Sequence, residues 1–239
     1  MKLIVTGGCG FIGSHFVDLS VEKNDDVLIL DSLLTGKQEN IINSKKSGHV
    51  EFLNNDIRNL DEIKSKFIDA DAIVHFAACT GVIESLEKPL EFTDVNVMGT
   101  LNLLEICREF NIPKFIFAST GAVYGNQLAP FDEKMIPDPL SPYAASKIAS
   151  DQLALSYFKS FDLPVTVIRP FNTFGPRQSA RAVIPTIITQ ALSKNKIKIG
   201  NLNTTRDFLY VKDLCAAYEK ILKSKKLLGQ VTNVGVDSE

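Results

Sequence analysis

Histidine and cysteine are scarce and scattered in this chain: three of the first (His15, His49, His75) and four of the second (Cys9, Cys79, Cys107, Cys215) among 239 residues. No two cysteines form a C-x-x-C pair and no histidine stands at ligand spacing, so neither a metal site nor a disulfide framework is expected. The cysteines read instead as small buried hydrophobes of a reducing compartment. Long apolar runs are missing too. None approaches a membrane span, and the run after Lys2 is broken by glycines almost at once, so no signal peptide and no membrane contact are expected. These absences leave a soluble, cytoplasmic protein as the expectation. Nor is there an excess of either charge: 26 Lys and Arg against 28 Asp and Glu give a net charge of −2. A nucleic-acid partner or an acidic membrane surface would call for a basic face that the chain lacks. The densest basic patch, Lys223 to Lys226, falls at the end of a predicted helix, where cations meet the negative end of the dipole. Internal repeats, low-complexity tracts and linkers are absent as well.

What is present is ordinary globular composition, 45% hydrophobic and 23% charged. The length suits one large α/β domain, or one domain with a small lobe. The stretch that organises the rest is Lys2-Leu3-Ile4-Val5-Thr6-Gly7-Gly8-Cys9-Gly10-Phe11-Ile12-Gly13-Ser14-His15. An apolar run too short for a helix enters a glycine cluster, and an amphipathic pattern (Phe11, Ile12, Phe16, Val17, Leu19) leaves it. A strand, a tight turn and a helix N-terminus together form an anion site, because unpaired N–H groups and the positive dipole end converge there. The glycines are spaced G-x-x-G-x-x-G, not G-x-G-x-x-G, and alone the spacing also fits an ordinary strand-to-helix turn.

The following residues narrow that reading. Val27-Leu28-Ile29-Leu30 reads as a second strand ending in Asp31. An acid there, roughly 20 residues past the glycine loop, is placed to accept hydrogen bonds from both hydroxyls of an adenosine ribose. It would repel a 2′-phosphate, which favours NAD over NADP. Strands are also expected at Val50–Leu53, Ala72–Ala78, Lys114–Ala118 and Val165–Arg169, with a helix around Ile63–Ile68 and a long one from Pro89 to Phe110. Near-continuous apolar strands alternating with amphipathic helices predict a parallel sheet covered on both faces, a Rossmann-type doubly wound α/β fold. Asn96 interrupts the apolar face of the long helix, and a buried Asn needs partners. Ala77 and Ala78 are small enough for backbone to approach a ligand at the strand end. A polar loop from Asn126 to Leu140 has the character of an excursion over a site mouth. Ser141 and Pro142 mark an N-cap and first helical position. Beyond Arg177 a helix at Ala182–Lys194, a short strand at Lys196–Ile199 and a final helix from about Lys212 to Leu222 are expected.

Tyr143 and Lys147 stand four apart on that helix and share a face. A phenol ionises near pH ~10, so tyrosine is a poor base unless a neighbouring cation stabilises the phenolate. Lys147 can do that, and the pair can take a proton from a sugar hydroxyl while the attached hydrogen leaves as hydride. Y-x-x-x-K alone is weak. It gains meaning beside the glycine loop, Asp31 and the Ser119-Thr120 that ends the preceding strand.

With these residues the chain resembles the extended short-chain dehydrogenase/reductase family, the NAD-dependent sugar-nucleotide epimerases and dehydratases. The likeness spans the whole length and includes Thr6 to Gly13, Asp56-Ile57, His75-Phe76-Ala77-Ala78, Asn96, Val123-Tyr124-Gly125, Arg169-Pro170-Phe171-Asn172 and Arg206-Asp207-Phe208. The resemblance implies Gly7, Gly10, Phe11 and Ile12 at the NAD pyrophosphate, Asp31 on the ribose, and Asp56 and Ile57 at the adenine. Ala77, Ala78 and Thr80 would line the nicotinamide half, with Tyr143 and Lys147 also touching the cofactor. Tyr143 would be the base, Thr120 would bond the reacting 4-hydroxyl, and Lys147 would complete the catalytic set. Asn172 and Arg206 would hold the substrate diphosphate, and a homodimer would form through the helices near Asn96 and Tyr143. The implied organisation is an NAD-binding domain over 1–170 and a substrate lobe over 171–239. That lobe is interleaved with the last Rossmann elements and shorter than in relatives, which usually continue past Asn233.

The reaction turns on Gly121-Ala122. A 4,6-dehydratase has to remove the C5 proton and expel water from C6, which calls for an acid/base pair beside the catalytic Thr. Dehydratases that look similar carry Asp-Glu or Ser-Glu there, and neither Gly nor Ala moves a proton. The expected activity is therefore 4-epimerisation of a nucleotide-diphosphate sugar of the UDP-glucose/UDP-galactose type. The alternatives are a sugar-nucleotide 4,6-dehydratase, favoured by the stretch Phe171–Arg181, and a catalytically idle NAD-binding protein.

Overall fold

Seven apolar segments lie side by side and run in one direction. The structure, a computed structural model, describes residues 1–201 and 203–236. Leu202 and the last three residues of the lobe expected over 171–239 lie outside the described residues. Strands β1 (Lys2–Thr6), β2 (Asp26–Asp31), β3 (Val50–Asn54), β4 (Ala72–His75), β5 (Phe115–Ala118), β6 (Val165–Pro170) and β9 (Gln230–Val234) form one sheet in the order β3-β2-β1-β4-β5-β6-β9. Every neighbouring pair is parallel. The chain winds outward from β1 to β3, then crosses back to β4 and winds the other way. Order therefore reverses between β1 and β4, and the crevice opens beyond the carboxyl ends of those strands.

Side chains alternate across the sheet, so each strand feeds two cores. Ile4, Ile73, Phe115, Phe117 and Val167 face α5 (Gly99–Glu109) and α6 (Pro142–Phe161), meeting Leu103, Leu104 and Ala154. Leu3, Val5, Ile29, Val74 and Ile116 face α1 (Phe11–Glu22) and α8 (Val211–Lys223), meeting Phe16, Val17, Leu214 and Tyr218. Burial on both faces is what makes the strands read as unbroken apolar runs. Short helices complete this part of the fold: α2 (Ile42–Lys45) packs on α1 and β3, and α3 (Val82–Glu87) and α4 (Pro89–Thr93) pack on α6. A two-stranded parallel ribbon, β7 (Asn172–Phe174) with β8 (Phe208–Tyr210), and the helix α7 (Val183–Ser193) form the small lobe. After this ribbon and α7 the chain returns through α8 to the main sheet, where β9 pairs with β6.

Several expectations change. The long helix from Pro89 is not uniform: a π turn, Asp94–Met98, separates α4 from α5. The segment at Ile63–Ile68 is a 3₁₀ stretch, Asp61–Phe67, and the strand expected to reach Ala78 ends at His75. No strand forms at Lys196–Ile199, because the Gln190 side chain takes over the backbone of Lys198, donating to its C=O (2.9 Å) and accepting from its N–H (2.9 Å). The N-cap holds: Ser141 Oγ accepts from the Ala144 N–H at 3.2 Å, with Pro142 at the first position.

Candidate active site

The crevice holds a cavity of about 610 Å³ lined from the glycine turn through the β4 and β5 ends to the β7–β8 ribbon. Of the residues singled out in the sequence, Gly7, Gly10, Phe11, Ile12, Asp31, Asp56, Ile57, Ala77, Ala78, Thr80, Thr120, Tyr143, Lys147 and Asn172 all line it. At one end the turn packs without side chains. Gly7 has φ +69°, and a Cβ there would sit 2.6 Å from the Ala77 amide nitrogen. A Cβ on Gly13 would lie 2.2 Å from the Gly7 carbonyl oxygen, so glycine lets α1 start directly against the strand end. Gly10 is the N-cap of α1 and makes no side-chain cap, leaving the first-turn N–H groups turned to the cavity.

Asp31 is nearly buried, and burial pushes its carboxyl upward while backbone donors hold it down. Those donors are the Cys9 N–H on one oxygen (2.9 Å) and the Leu33 N–H on the other (2.8 Å). Both oxygens thereby stand in fixed positions at the edge of the cavity. Asp56 is clamped by Arg58, whose Nε and Nη2 donate to its two oxygens (3.0 and 2.8 Å) and keep its carboxyl below the usual range. A glycine cradle at a helix start with a fixed carboxylate one strand over fits the pyrophosphate and ribose of a dinucleotide.

The middle of the site rests on a buried polar network that the sequence indicated only through Asn96. The π turn swings Asn96 inward, where it is 1% exposed. Its Oδ1 accepts from the Cys79 N–H (2.8 Å), and its Nδ2 donates to the Cys79 C=O (3.1 Å) and to Ser146 Oγ (2.9 Å). The Ser146 hydroxyl donates onward to the Tyr143 C=O (2.8 Å). One carboxamide therefore ties the loop carrying Ala77, Ala78 and Thr80 to the helix carrying Tyr143. The carbonyl of Asn96 accepts from Thr100 Oγ1 (2.5 Å) and Ser150 Oγ (2.8 Å), which satisfies it within the widened turn. Because the Thr100 proton goes to that carbonyl, Thr100 Oγ1 accepts from His75 Nε2–H at 3.0 Å. Thr6 Oγ1 accepts from the Ala77 N–H (3.3 Å) and donates to His75 Nδ1 (2.7 Å). His75 is thus a neutral imidazole, and burial holds its pKa well below the ordinary value.

Thr120, Tyr143 and Lys147 converge at the end of β5. Thr120 caps the 3₁₀ turn Gly121–Tyr124, its Oγ1 accepting from the Ala122 N–H at 3.1 Å. Burial raises the Tyr143 phenol above its usual pKa, and hydrogen bonding with Thr120 pulls it back down. Lys147 is 4% exposed, and burial lowers its ammonium to about 8 against the attraction of Asp151, one turn further along α6. Asp151 is itself held by Arg169, whose Nε and Nη2 donate to Oδ2 (3.1 and 2.9 Å). Tyr143 and Lys147 sit where a proton can be taken from a substrate hydroxyl and the resulting phenolate stabilised.

The lobe side differs from expectation at one residue. Arg206 is exposed, lies outside the cavity lining, and donates from Nη1 to the Thr205 C=O at 2.6 Å. It precedes β8, whose first residue Phe208 is the one that faces the cavity. Sequence reasoning gave no site role to Val183 and Ile184, and none individually to Thr173, Phe174, Gln178 and Phe208, all of which also line the cavity. It also missed the ties from α1 to the lobe: His15 Nε2 to the Pro176 C=O (3.0 Å) and Arg177 to Asp18 (2.8 Å). These residues have no fixed spacing to a motif, and only the fold brings them together. Among the described residues, no group of His, Cys, Asp and Glu is arranged to hold a metal ion, and no helix is long and apolar enough to cross a membrane.

Comparison with known proteins places this geometry in a family. The GDP-mannose 4,6 dehydratase family model matches residues 4–237. A Methanocaldococcus jannaschii protein, named as a candidate UDP-glucose 4-epimerase, is 40% identical over 99% of this chain and 77% of its own length. The dTDP-D-glucose 4,6-dehydratase of Dictyostelium discoideum is 35% identical over 100% of this chain and 59% of its own. Among solved structures, the UDP-glucuronic acid 4-epimerase of Bacillus cereus, in complex with UDP-glucuronic acid and NAD, superposes with a TM-score of 0.94 at 33% identity. That match covers 100% of this chain and 78% of the other.

Proposed function

The chain belongs to the extended short-chain dehydrogenase/reductase family of sugar-nucleotide epimerases and dehydratases, and from that premise we propose that it is an NAD-dependent 4-epimerase of a UDP-glucose/UDP-galactose type nucleotide sugar. One observation carries the choice of reaction. Among the described residues, the titratable groups lining the cavity are Asp31, Asp56, Cys79, Tyr143 and Lys147. Both carboxylates stand at the adenosine end. Among the described residues, no carboxylate or histidine lines the cavity beside Thr120, where a dehydratase would need an acid and a base to act at C5 and C6. The space is filled as well: a Cβ on Gly121 would lie 2.6 Å from the Phe171 ring.

In this reading Gly7, Gly10, Phe11 and Ile12 hold the NAD pyrophosphate, Asp31 the adenosine ribose, and Asp56 and Ile57 the adenine. Ala77, Ala78, Thr80, Tyr143 and Lys147 hold the nicotinamide half. When bound, NAD supplies reversible hydride exchange at C4 of the sugar. Thr120 orients the 4-hydroxyl, Tyr143 takes its proton, and Lys147 keeps the phenolate stable until that proton is returned. A single acid/base serves both directions, so inversion at C4 needs only that the 4-keto sugar turn over between the two half-reactions. Asn172 faces the cavity to anchor the diphosphate. Arg206 joins it by swinging in from the coil before β8. Residues 1–170 act as the NAD-binding unit and those from 171 as the substrate lobe, with α8 and β9 returned to the first.

Incubation with UDP-glucose, UDP-galactose and their N-acetyl forms, followed by separation of the products, tests this. Interconversion at C4 without added NAD is expected. A 4-keto-6-deoxy product would replace the epimerase with the dehydratase.

A further inference from the structure

Lys147 has an aromatic neighbour that its assigned role does not use. Its ammonium is buried, and among the described residues no side chain gives it a hydrogen bond or ion pair. Burial of an ammonium favours loss of its proton. The underside of the group is occupied by an aromatic face: Nζ lies 4.2 Å from the centroid of the Phe117 ring. Phe117 is 1% exposed in β5, so this contact is dry and its electrostatics are little screened.

We propose that Phe117 is a positioning residue, its ring serving as the platform that holds Lys147 in place and charged beneath the reactive hydroxyl of the site. The sheet register explains why the ring is there. Thr6, His75 and Phe117 are successive neighbours across β1, β4 and β5, so their side chains share a face. The His75 imidazole and the Phe117 ring stand 5.5 Å apart between centroids. His75 is kept neutral by Thr6 and Thr100, so it places no second cation behind the ring. The other charged and titratable groups facing Lys147 are Asp151 and Tyr143 on α6, with Arg169 of β6 neutralising Asp151. A π face attracts the ammonium without offering a lone pair, which leaves its N–H groups free for a ligand.

The inference rests on reading Lys147 as the cation that serves Tyr143, but its test needs no turnover. Phe117 is replaced by 4-fluoro-, 3,5-difluoro- and 3,4,5-trifluorophenylalanine, which preserve its shape while draining the ring face of negative charge. Lys147 is titrated in the NAD-free protein through the ¹³Cε shift of labelled lysine, its signal identified by its loss in Lys147→Met. The midpoint is expected to fall with each fluorine, by about half a pH unit or more across the series. Trifluorination of Phe115, on the same strand and face, is expected to leave it unmoved. Far-UV circular dichroism checks that each protein is folded. An unchanged midpoint across the Phe117 series, or an equal fall from Phe115, would overturn the proposal. Either result leaves the epimerase reading to be decided by its own product assay.

Discussion

Replacing Asn96 with leucine removes three hydrogen bonds while keeping the number of side-chain heavy atoms, so no cavity is left; the cost is the lost hydrogen bonds, with some crowding from the larger methyl groups. Ser146 keeps its bond to the Tyr143 carbonyl. The Cys79 N–H and C=O lose their partner outright. An orphaned buried backbone group costs about 1–3 kcal/mol, and two give about 2–6. Thr80, the next residue, is exposed, so water can reach part of this loop, and the expected loss is about 2–4 kcal/mol. Against the ~5–15 kcal/mol that holds a domain folded, this is a large share. The chain has no tryptophan, so urea unfolding is best followed by far-UV circular dichroism. The midpoint should fall with an unchanged slope. A loss below about 1 kcal/mol would refute the view that one carboxamide joins the cofactor-side loop to the Tyr143 helix.

Tyr143→Phe should abolish turnover and leave NAD bound; wild-type rates would remove Tyr143 from the chemistry. Lys147→Met should stabilise the NAD-free protein. Folded Lys147 titrates near 8 against 10.5 when unfolded. The cost of burying its charge is therefore fully present below pH 8 and fades as pH rises toward 10.5. The 2.5-unit difference sets a gain of at most about 3 kcal/mol at pH 7, vanishing near pH 10.5; a gain independent of pH would contradict it. A homodimer is expected, because Ile83, Leu86 and Leu90 stand exposed on α3 and α4 beside α6. Sedimentation should give twice the chain mass, and Leu90→Asp should reduce it to one; a monomeric wild type would refute this.

The sheet, its two covered faces and the glycine-turn end of the cavity were legible in the sequence because each rests on local patterning. Apolar runs, the glycine turn and Asp31 lie within a few residues of the elements they define. Tyr143 and Lys147 were legible through helical spacing. What escaped is what depends on tertiary placement. The π turn at Asp94–Met98 carries no local signature; the polarity of Asn96 marked a residue in need of partners, not the turn that supplies them. The strand expected at Lys196–Ile199 was lost to the Gln190 side chain, a competitor outside the segment. β9 pairs with a strand some sixty residues earlier, and no short-range pattern announces that. Arg206 was assigned by likeness and by the fit of a guanidinium to phosphate oxygens; in the structure it lies outside the cavity lining, because neither reading fixes the direction in which a side chain leaves a coil. Phe117 read as a core residue, which it is; its second role follows only from the register that sets it beside His75 and below Lys147.

The central claim is that Tyr143 is the sole proton-transfer group at the sugar, and that it acts only at the 4-hydroxyl. Running the reaction in D₂O and reading the product by NMR tests it most directly. A 4-epimerase moves the C4 hydrogen as hydride and never opens C5, so the account predicts a C4-inverted product with no solvent deuterium on carbon. Deuterium at C5 would mean that a second base had reached that carbon, and would contradict it.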